Sequence, residues 1–294
     1  MGWITREAAR ETGLTEGTPV IAGTIDATAE AISVGTVNPG EAMLMYGTTM
    51  FIISVLDSFR VHPALWALAY TMPGRAVVAA GQATSAALTK WFRDNFGHVE
   101  RETERLLGID AYQLLMAEAE SVPAGSGGLI ALPYFSGERT PIYDPLARGM
   151  VIGLALSHTR AHVYRALLEG TAFGLRHTFE TMAEIGGLPG KVFAVGGGTK
   201  NSLWLQIVSD VTGIPQEVPR TTIGASYGDA FLAGIGVGLF RDFNEIRTRW
   251  IEPGRTVTPN SAEHKLYSEY YQIFRALYEN NKGSMHRLAE LGSR

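Results

Sequence analysis

The stretch Val192-Phe193-Ala194-Val195-Gly196-Gly197-Gly198-Thr199-Lys200-Asn201 passes from an apolar run into three glycines and then into residues that can start a helix. This order predicts a buried strand, a tight turn and a helix. Glycines let backbone amides approach an anionic or flat ligand, and a helix N-terminus adds partial positive charge. The segment matches neither the Walker nor the dinucleotide-binding pattern. Two interpretations therefore stay open, a nucleotide site and a turn that requires unusual dihedral angles.

Strand-like and helix-like segments alternate on both sides of this stretch. Residues 20–25 predict a short strand that ends at Asp26, and residues 27–33 predict a helix. The alternation predicts an α/β fold. The other predicted strands cover residues 41–48, 50–55, 75–80, 129–132 and 191–195, and the other predicted helices cover residues 84–96, 110–121, 159–185, 201–212, 224–238 and 262–280.

Two further segments carry groups suited to chemistry. Gly47-Thr48-Thr49 separates two predicted strands, and its amides and hydroxyls form either a phosphate cradle or an ordinary turn. Asp26 follows an apolar run and precedes Ala27-Thr28-Ala29. A carboxylate at a strand end is placed to accept a proton from a substrate hydroxyl, but the same residue type also caps helices. The residues alone leave both alternatives open.

Two other patterns suggest different chemistry. Gly224-Ala225-Ser226-Tyr227-Gly228 has the spacing of a hydrolase nucleophile turn, and Asp242 and His264 follow in triad order. The segment before it is a poor strand, and small residues continue after it, as in a tightly packed helix. His158 and His162 stand four residues apart, a spacing that suits a metal on one helix face, but no third ligand is evident.

Composition excludes several classes of protein. The 294 residues contain no cysteine, which rules out disulfides and thiolate metal ligands and suits a cytoplasmic location. The formal net charge of -4 argues against a nucleic-acid partner. Neither a signal-peptide pattern nor an apolar run of about 20 residues is present, so no membrane association is expected. Binding or conversion of a small molecule remains open as the class of function.

Taken in order, these segments resemble the C-terminal domain of the FGGY family of carbohydrate kinases, from about Gly17 to about Phe240. The most specific stretches are Gly149-Met150-Val151-Ile152-Gly153-Leu154 and His162-Val163-Tyr164-Arg165-Ala166-Leu167-Leu168-Glu169-Gly170, which look like the family signature. The loop Ser136-Gly137-Glu138-Arg139-Thr140-Pro141 is similar to one in xylulose kinase relatives. The resemblance implies an actin-like ATPase, ribonuclease H-like fold, with a mixed sheet flanked by helices. One departure from the pattern is Ile223, where relatives usually have an acidic residue.

The resemblance also implies roles for individual residues. Asp26 would be the catalytic base that takes a proton from a sugar hydroxyl as it attacks the γ-phosphate of ATP. Gly47, Thr48 and Thr49 would hold the β- and γ-phosphates, with Mg²⁺ accompanying ATP. The remaining nucleotide-binding residues would be Gly197, Gly198 and Asn201 around the adenosine, Gly196, which would shape the turn, and Gly81 in the lining of the cleft.

The expected organisation is a single domain over residues 1–294, the nucleotide-binding half of a kinase for a ketopentose such as xylulose or a related polyol. An N-terminal sugar-binding domain is expected to be absent, so the exposed face could form a homodimer. Without that domain the chain is expected to have little activity. The alternative is a non-catalytic actin-like module that binds nucleotide or assembles with a partner.

Overall fold

The computed structural model describes residues 2–293, and its strands and helices alternate along most of the chain. The strands are β1 (Gly2–Trp3), β2 (Pro19–Val20), β3 (Glu41–Tyr46), β4 (Met50–Leu56), β5 (Trp66–Ala69), β6 (Ala76–Gln82), β7 (Ile130–Leu132), β8 (Met150–Ile152), β9 (Lys191–Val195), β10 (Gln216–Val218) and β11 (Arg255–Val257). The α-helices are α1 (Arg6–Thr12), α2 (Asp26–Ser33), α3 (Ala86–Phe96), α4 (His98–Leu107), α5 (Ala111–Glu120), α6 (Arg160–Ala183), α7 (Ser202–Thr212), α8 (Ala225–Gly236), α9 (Glu245–Arg249) and α10 (Ser261–Gly292).

A seven-stranded sheet forms the centre of the molecule, in the order β11-β10-β9-β3-β4-β6-β5. The pairs β3/β9 and β9/β10 are parallel, and the other neighbours are antiparallel. The sheet is therefore mixed, and the predicted α/β class is confirmed.

Helices cover both faces of this sheet because its strands are apolar on both sides. One face packs against α3, α5, α6, α7 and α10, through side chains such as Phe92, Leu168 and Phe274. The other face packs against α2, α8 and α9, through Ile32, Phe231 and Ile246. No helix within residues 2–293 combines the length and apolar character needed to cross a bilayer.

One edge of the sheet gathers the turns that the sequence singled out. The C-terminal ends of β3 and β9 lie side by side, with Met45 paired to Val195. Met50, which begins β4, pairs with Gln82, the last residue of β6. Because neighbouring strand ends meet at a common edge, residues 47–49, 83–85 and 196–198 all emerge on the same side.

The two signature stretches pack together. β8 pairs with β7, and Gly170 in α6 lies so close to β7 that a Cβ there would be 2.3 Å from the carbonyl oxygen of Ala131. The carboxylate of Glu169 is fully buried and accepts hydrogen bonds from Arg165 Nε (2.9 Å), Ser126 Oγ (2.7 Å), Gly125 N (3.0 Å) and Tyr267 O–H (2.8 Å). This part of the signature therefore ties α6 to α10 and to the loop before β7.

The structure differs from the predicted elements in several places. It contains short elements that were not predicted, namely α1, α9, β1, β5, β8, β10 and β11. The strand predicted over residues 20–25 is wrong: only Pro19–Val20 is extended in a sheet, since Gly23 adopts a left-handed φ of 71° and residues 22, 23 and 25 are exposed. Helix α4 was not predicted, because Gly97 occupies its N-cap without a side-chain cap. Helix α10 continues to Gly292, well beyond the predicted end at residue 280.

Candidate functional site

A cavity of about 550 Å³ opens at the sheet edge where the turns meet. Its walls come from the end of β3, from the turn that follows β9, and from helices α4 and α5. Gly47, Thr48, Gly197, Gly198 and Asn201 all line it. Five of the residues predicted to bind nucleotide therefore share one cavity.

The first wall comes from Gly47 and Thr48, which belong to the turn of residues 47–49 that we call the threonine turn; Thr49 does not line the cavity. Thr48 is exposed, and Gly47 and Thr49 are half-buried. The hydroxyls of Thr48 and Thr49 make no hydrogen bond to another residue that the structure describes, and the amides of residues 47–49 donate no hydrogen bond within the described turns and loops. The carbonyl oxygens, in contrast, accept hydrogen bonds from the start of α3. The donors of the threonine turn are therefore free for a ligand.

The second wall comes from Gly197 and Gly198, which belong to the turn of residues 196–198 that we call the glycine turn; Gly196 does not line the cavity. Gly196 has a φ of 92°, and a Cβ on it would lie 2.8 Å from the carbonyl oxygen of Tyr46. A Cβ built on Gly197 would have no described atom within 4 Å apart from its chain neighbours, because it would point into open space. Gly196 therefore shapes the turn, while Gly197 leaves room in the cavity.

Asn201 joins the glycine turn to α7. Its Oδ1 accepts a hydrogen bond from the amide of Trp204 (2.9 Å), so Asn201 is the N-cap of the helix. Its Nδ2 donates to no other residue within 2–293. The indole of Trp204 lies edge-on to the ring of Tyr46 and donates from Nε1 to Thr171 Oγ1 (2.9 Å). These contacts fix the floor of the cavity.

The third wall was not predicted from the sequence. Tyr112, Gln113 and Met116 on α5 line the cavity, together with Tyr164 on α6. The hydroxyl of Tyr164 is buried without a hydrogen-bond partner in the described part of the chain, and burial raises its pKa. The spacing of 112, 113 and 116 places them on one helix face, but only tertiary packing shows which face meets the cavity.

Asp26 lies outside the cavity lining, at the first position of α2. Its carboxylate is exposed and accepts a hydrogen bond from the amide of Ala27 (2.7 Å), whereas the N-cap residue is Ile25. The pKa of Glu30, one turn further along, is raised by burial and by the charge of Asp26. Asp26 is therefore an accessible carboxylate at a helix N-terminus.

Gly81 also does not line the cavity. It is buried within β6, opposite Phe51, and its carbonyl oxygen accepts a hydrogen bond from the amide of Thr140 (3.1 Å). Gly81 thus connects the sheet to the loop of residues 136–141.

The residues of the hydrolase pattern do not form a triad. Gly224 is the N-cap of α8, and Ser226 is exposed within the helix. The Asp242 carboxylate accepts from the amide of Asn244, while His264 Nδ1 pairs with the carbonyl oxygen of Asp210. A Cβ on Gly228 would lie 1.9 Å from the carbonyl oxygen of Ala29, so the small residues serve close packing of α8 on α2.

The histidine pair has a structural role in this fold. His158 Nδ1 accepts from the amide of Ala155 (2.9 Å), and its Nε2 pairs with the carbonyl oxygen of Gly127 (3.0 Å). His162 completes a capping box at the start of α6. Residues 2–293 contain no group of three or more His, Asp or Glu side chains placed to hold a metal ion.

Comparisons with known proteins agree on one family. The model of the FGGY family of carbohydrate kinases, C-terminal domain, matches residues 42–237. The chain is 32% identical over 290 residues to an autoinducer-2 kinase from Enterobacter sp. (strain 638), which covers 96% of this chain and 54% of that protein. It therefore spans about half the length of the curated relatives that it matches.

Solved structures share the fold. A xylulose kinase from Rhodospirillum rubrum superposes with a TM-score of 0.86 at 34% identity, over 97% of this chain and 56% of that one. A Plasmodium falciparum glycerol kinase solved with ADP has a TM-score of 0.75 at 21% identity, over 92% and 53% of the two chains.

Proposed function

Because the chain belongs to the FGGY family of carbohydrate kinases, which have an actin-like ATPase fold, we propose that it is the nucleotide-binding half of an ATP-dependent sugar kinase. In this proposal the cavity binds ATP, and the parent protein transfers the γ-phosphate to a sugar hydroxyl. The observation that carries the proposal is that the threonine turn and the glycine turn face one cavity.

The cavity suits ATP in size and chemistry. Its volume of about 550 Å³ lies within the range of about 300–1,000 Å³ that is typical of small-molecule sites. The free hydroxyls and amides of the threonine turn would bind the β- and γ-phosphates. The open side of Gly197 and the Nδ2 of Asn201 would receive the adenosine, next to the side chains of Tyr112 and Met116.

Phosphoryl transfer is catalysed mainly by positioning and by stabilising charge, so these groups can form a large part of a kinase site. Lys200 lines the cavity and would add positive charge near the phosphates. Mg²⁺ would arrive bound to the phosphates of ATP and neutralise part of their charge.

Asp26 would accept the proton from the sugar hydroxyl while the hydroxyl oxygen attacks the γ-phosphorus and ADP leaves. Two observations support this role. The carboxylate is exposed, and α2 packs on the sheet and leads through residues 34–40 into β3. We expect the short connection to make α2 run back along β3, which would bring its first residue to the edge where the threonine turn lies.

The sugar would bind between this chain and the half of the kinase that the relatives contain in addition. A domain closing over both substrates would exclude water and bring the hydroxyl to the γ-phosphate. The loop of residues 136–141 favours a ketopentose such as xylulose, while the autoinducer-2 kinase relatives extend the range to related polyols. We expect the parent enzyme to work in the cytoplasm, and we propose that this chain forms a homodimer through the face that would meet the additional half of the kinase.

A second candidate function is a non-catalytic module that binds nucleotide. The position of Asp26 outside the cavity lining favours it. The effect of replacing Asp26 on turnover distinguishes the two functions, because only a kinase needs this carboxylate as a base.

Calorimetric titration of this chain with ATP, ADP and adenosine tests the nucleotide assignment. We expect weak binding of ATP and little transfer to any sugar, because one half cannot close. No heat of binding at millimolar ATP would contradict the assignment. A transfer assay in the full-length parent, with and without Asp26→Asn, then separates the kinase from the binding module.

A further inference from the structure

A buried carboxylate lies next to the proposed phosphate site without belonging to it. Glu138, in the loop of residues 136–141, is only 6% exposed. Its Oε1 accepts hydrogen bonds from the amides of Ala83 and Arg139, both at 2.7 Å. Its Oε2 is buried and has no partner among the residues that the structure describes. One oxygen of Glu138 thus fixes the backbone just beyond the end of β6.

The segment that Glu138 holds is itself bonded to the threonine turn. The amides of Ser85 and Ala87 donate to the carbonyl oxygen of Thr48, both at 3.1 Å, and the amide of Ala86 donates to that of Gly47 (3.0 Å). These three bonds turn the carbonyl groups of residues 47 and 48 toward α3. The amide and hydroxyl of Thr48 are left for the cavity.

Glu138 is held firmly from the other side. Its backbone pairs in both directions with Asp144, at 2.9 Å each. The carboxylate of Asp144 accepts hydrogen bonds from Tyr278 O–H (2.8 Å) and His286 Nε2 (2.7 Å), which belong to α10. Thr140 bonds to Gly81 in β6. The loop therefore connects α10 to the turn after β6.

From this chain of contacts we propose that Glu138 is a positioning residue for the phosphate site. Its carboxylate holds the amide of Ala83, and residues 85–87, which follow closely in the chain, hold the threonine turn in the conformation that presents its free donors to the β- and γ-phosphates. The inference rests on the proposed function, because it assigns these donors to ATP. Glu138 itself touches neither nucleotide nor sugar.

The state of the carboxyl group indicates which replacement would preserve this role. Burial raises the pKa of Glu138 to about 7, although the two amides on Oε1 and the charge of Arg139 oppose the shift. Oε1 accepts both bonds whether or not Oε2 carries a proton. A glutamine can accept the same two bonds with its carbonyl oxygen, whereas alanine cannot.

The experiment compares ATP and adenosine binding by this chain in Glu138→Ala, Glu138→Gln and the wild type. We expect Glu138→Ala to weaken ATP binding about tenfold, because the threonine turn is no longer held in the conformation that presents its donors, and to leave adenosine binding within about twofold. Glu138→Gln should keep ATP affinity within about threefold of the wild type. Ser54→Ala is the matched control, a buried polar residue of β4 whose Oγ bonds to Gly187 at the far end of the strand. It should change neither affinity.

Several outcomes would overturn the inference. Equal ATP affinity in Glu138→Ala and the wild type would show that the threonine turn does not need the carboxylate. A parallel loss of ATP and adenosine binding, or the same loss in Ser54→Ala, would indicate general destabilisation. If Glu138→Ala does not fold, Glu138→Asp provides the same comparison, since its shorter side chain withdraws the oxygen from Ala83. A wild-type chain that binds neither ligand contradicts the proposed function, and this inference with it.

Discussion

Gly198 lies directly against Tyr46: a methyl group on Gly198 would be 2.8 Å from the Cβ of Tyr46 and 2.9 Å from the ring of Trp204. Tyr46 is the last residue of β3 and immediately precedes the threonine turn. The glycine turn therefore packs against Tyr46, the residue just before the threonine turn. This contact keeps the two turns at a fixed separation.

The glycine turn offers a matched pair of substitutions. Gly198→Ala should lower the free energy of unfolding by about 1–3 kcal/mol, because the methyl group has no space. Gly197→Ala should fold as the wild type does, since nothing lies within 4 Å of the new methyl group, but it should weaken ATP because that methyl group enters the cavity. Urea unfolding and calorimetry measure the two effects. Equal stability loss in both variants would contradict the geometry.

Asp26→Asn tests the proton acceptor in the full-length parent. Loss of a general base typically lowers turnover by about 10²- to 10⁴-fold, and ATP affinity should stay near the wild-type value. The free energy of unfolding should hardly change, because the carboxylate is exposed and, within residues 2–293, bonds only to the amide of Ala27. Glu11→Gln, an exposed acid on α1, is the control. Turnover within a few-fold of the wild type would assign the proton to another group.

How much of the site could be predicted depends on how local each signal is. Residues 47–49 and 196–198 are recognisable because an apolar strand ends in glycine or threonine, and parallel pairing of β3 with β9 then brings them together. The α5 wall was missed because Tyr112 and Met116 resemble any amphipathic helix face. The burial of the Glu138 carboxylate could not be predicted from the sequence either, because its hydrogen-bond partners are backbone amides, which every residue type except proline provides.

The buried pair Arg165–Glu169 should dominate the stability of the α6–α10 contact. Glu169→Ala leaves the guanidinium of Arg165 without its carboxylate and should cost about 3–5 kcal/mol in the free energy of unfolding. Glu102→Ala breaks an exposed pair with Arg105 and should have little effect. Chemical unfolding of both variants makes the comparison. A small effect of Glu169→Ala would mean that the buried ion pair does not dominate the α6–α10 contact.

His177 should make the fold sensitive to acid. Burial, with the nearby charge of Arg275, lowers its pKa to about 4 from an ordinary value near 6.5. Between pH 6.5 and pH 4, His177 is therefore protonated in the unfolded chain but largely neutral in the folded chain. The free energy of unfolding falls as the pH drops from about 6.5 to about 4. The loss due to this group is about 2–3 kcal/mol. His177→Gln should lose less stability over that interval, and parallel pH curves for the two proteins would contradict the assignment.

The most direct test is a crystal structure of this chain with a non-hydrolysable ATP analogue and Mg²⁺. We expect the adenosine at Gly197 and Asn201 beside α5, with the β- and γ-phosphates on the amides of residues 47–49 and the hydroxyls of Thr48 and Thr49. An analogue bound elsewhere, or phosphates directed away from the threonine turn, would contradict the assignment of this cavity to ATP.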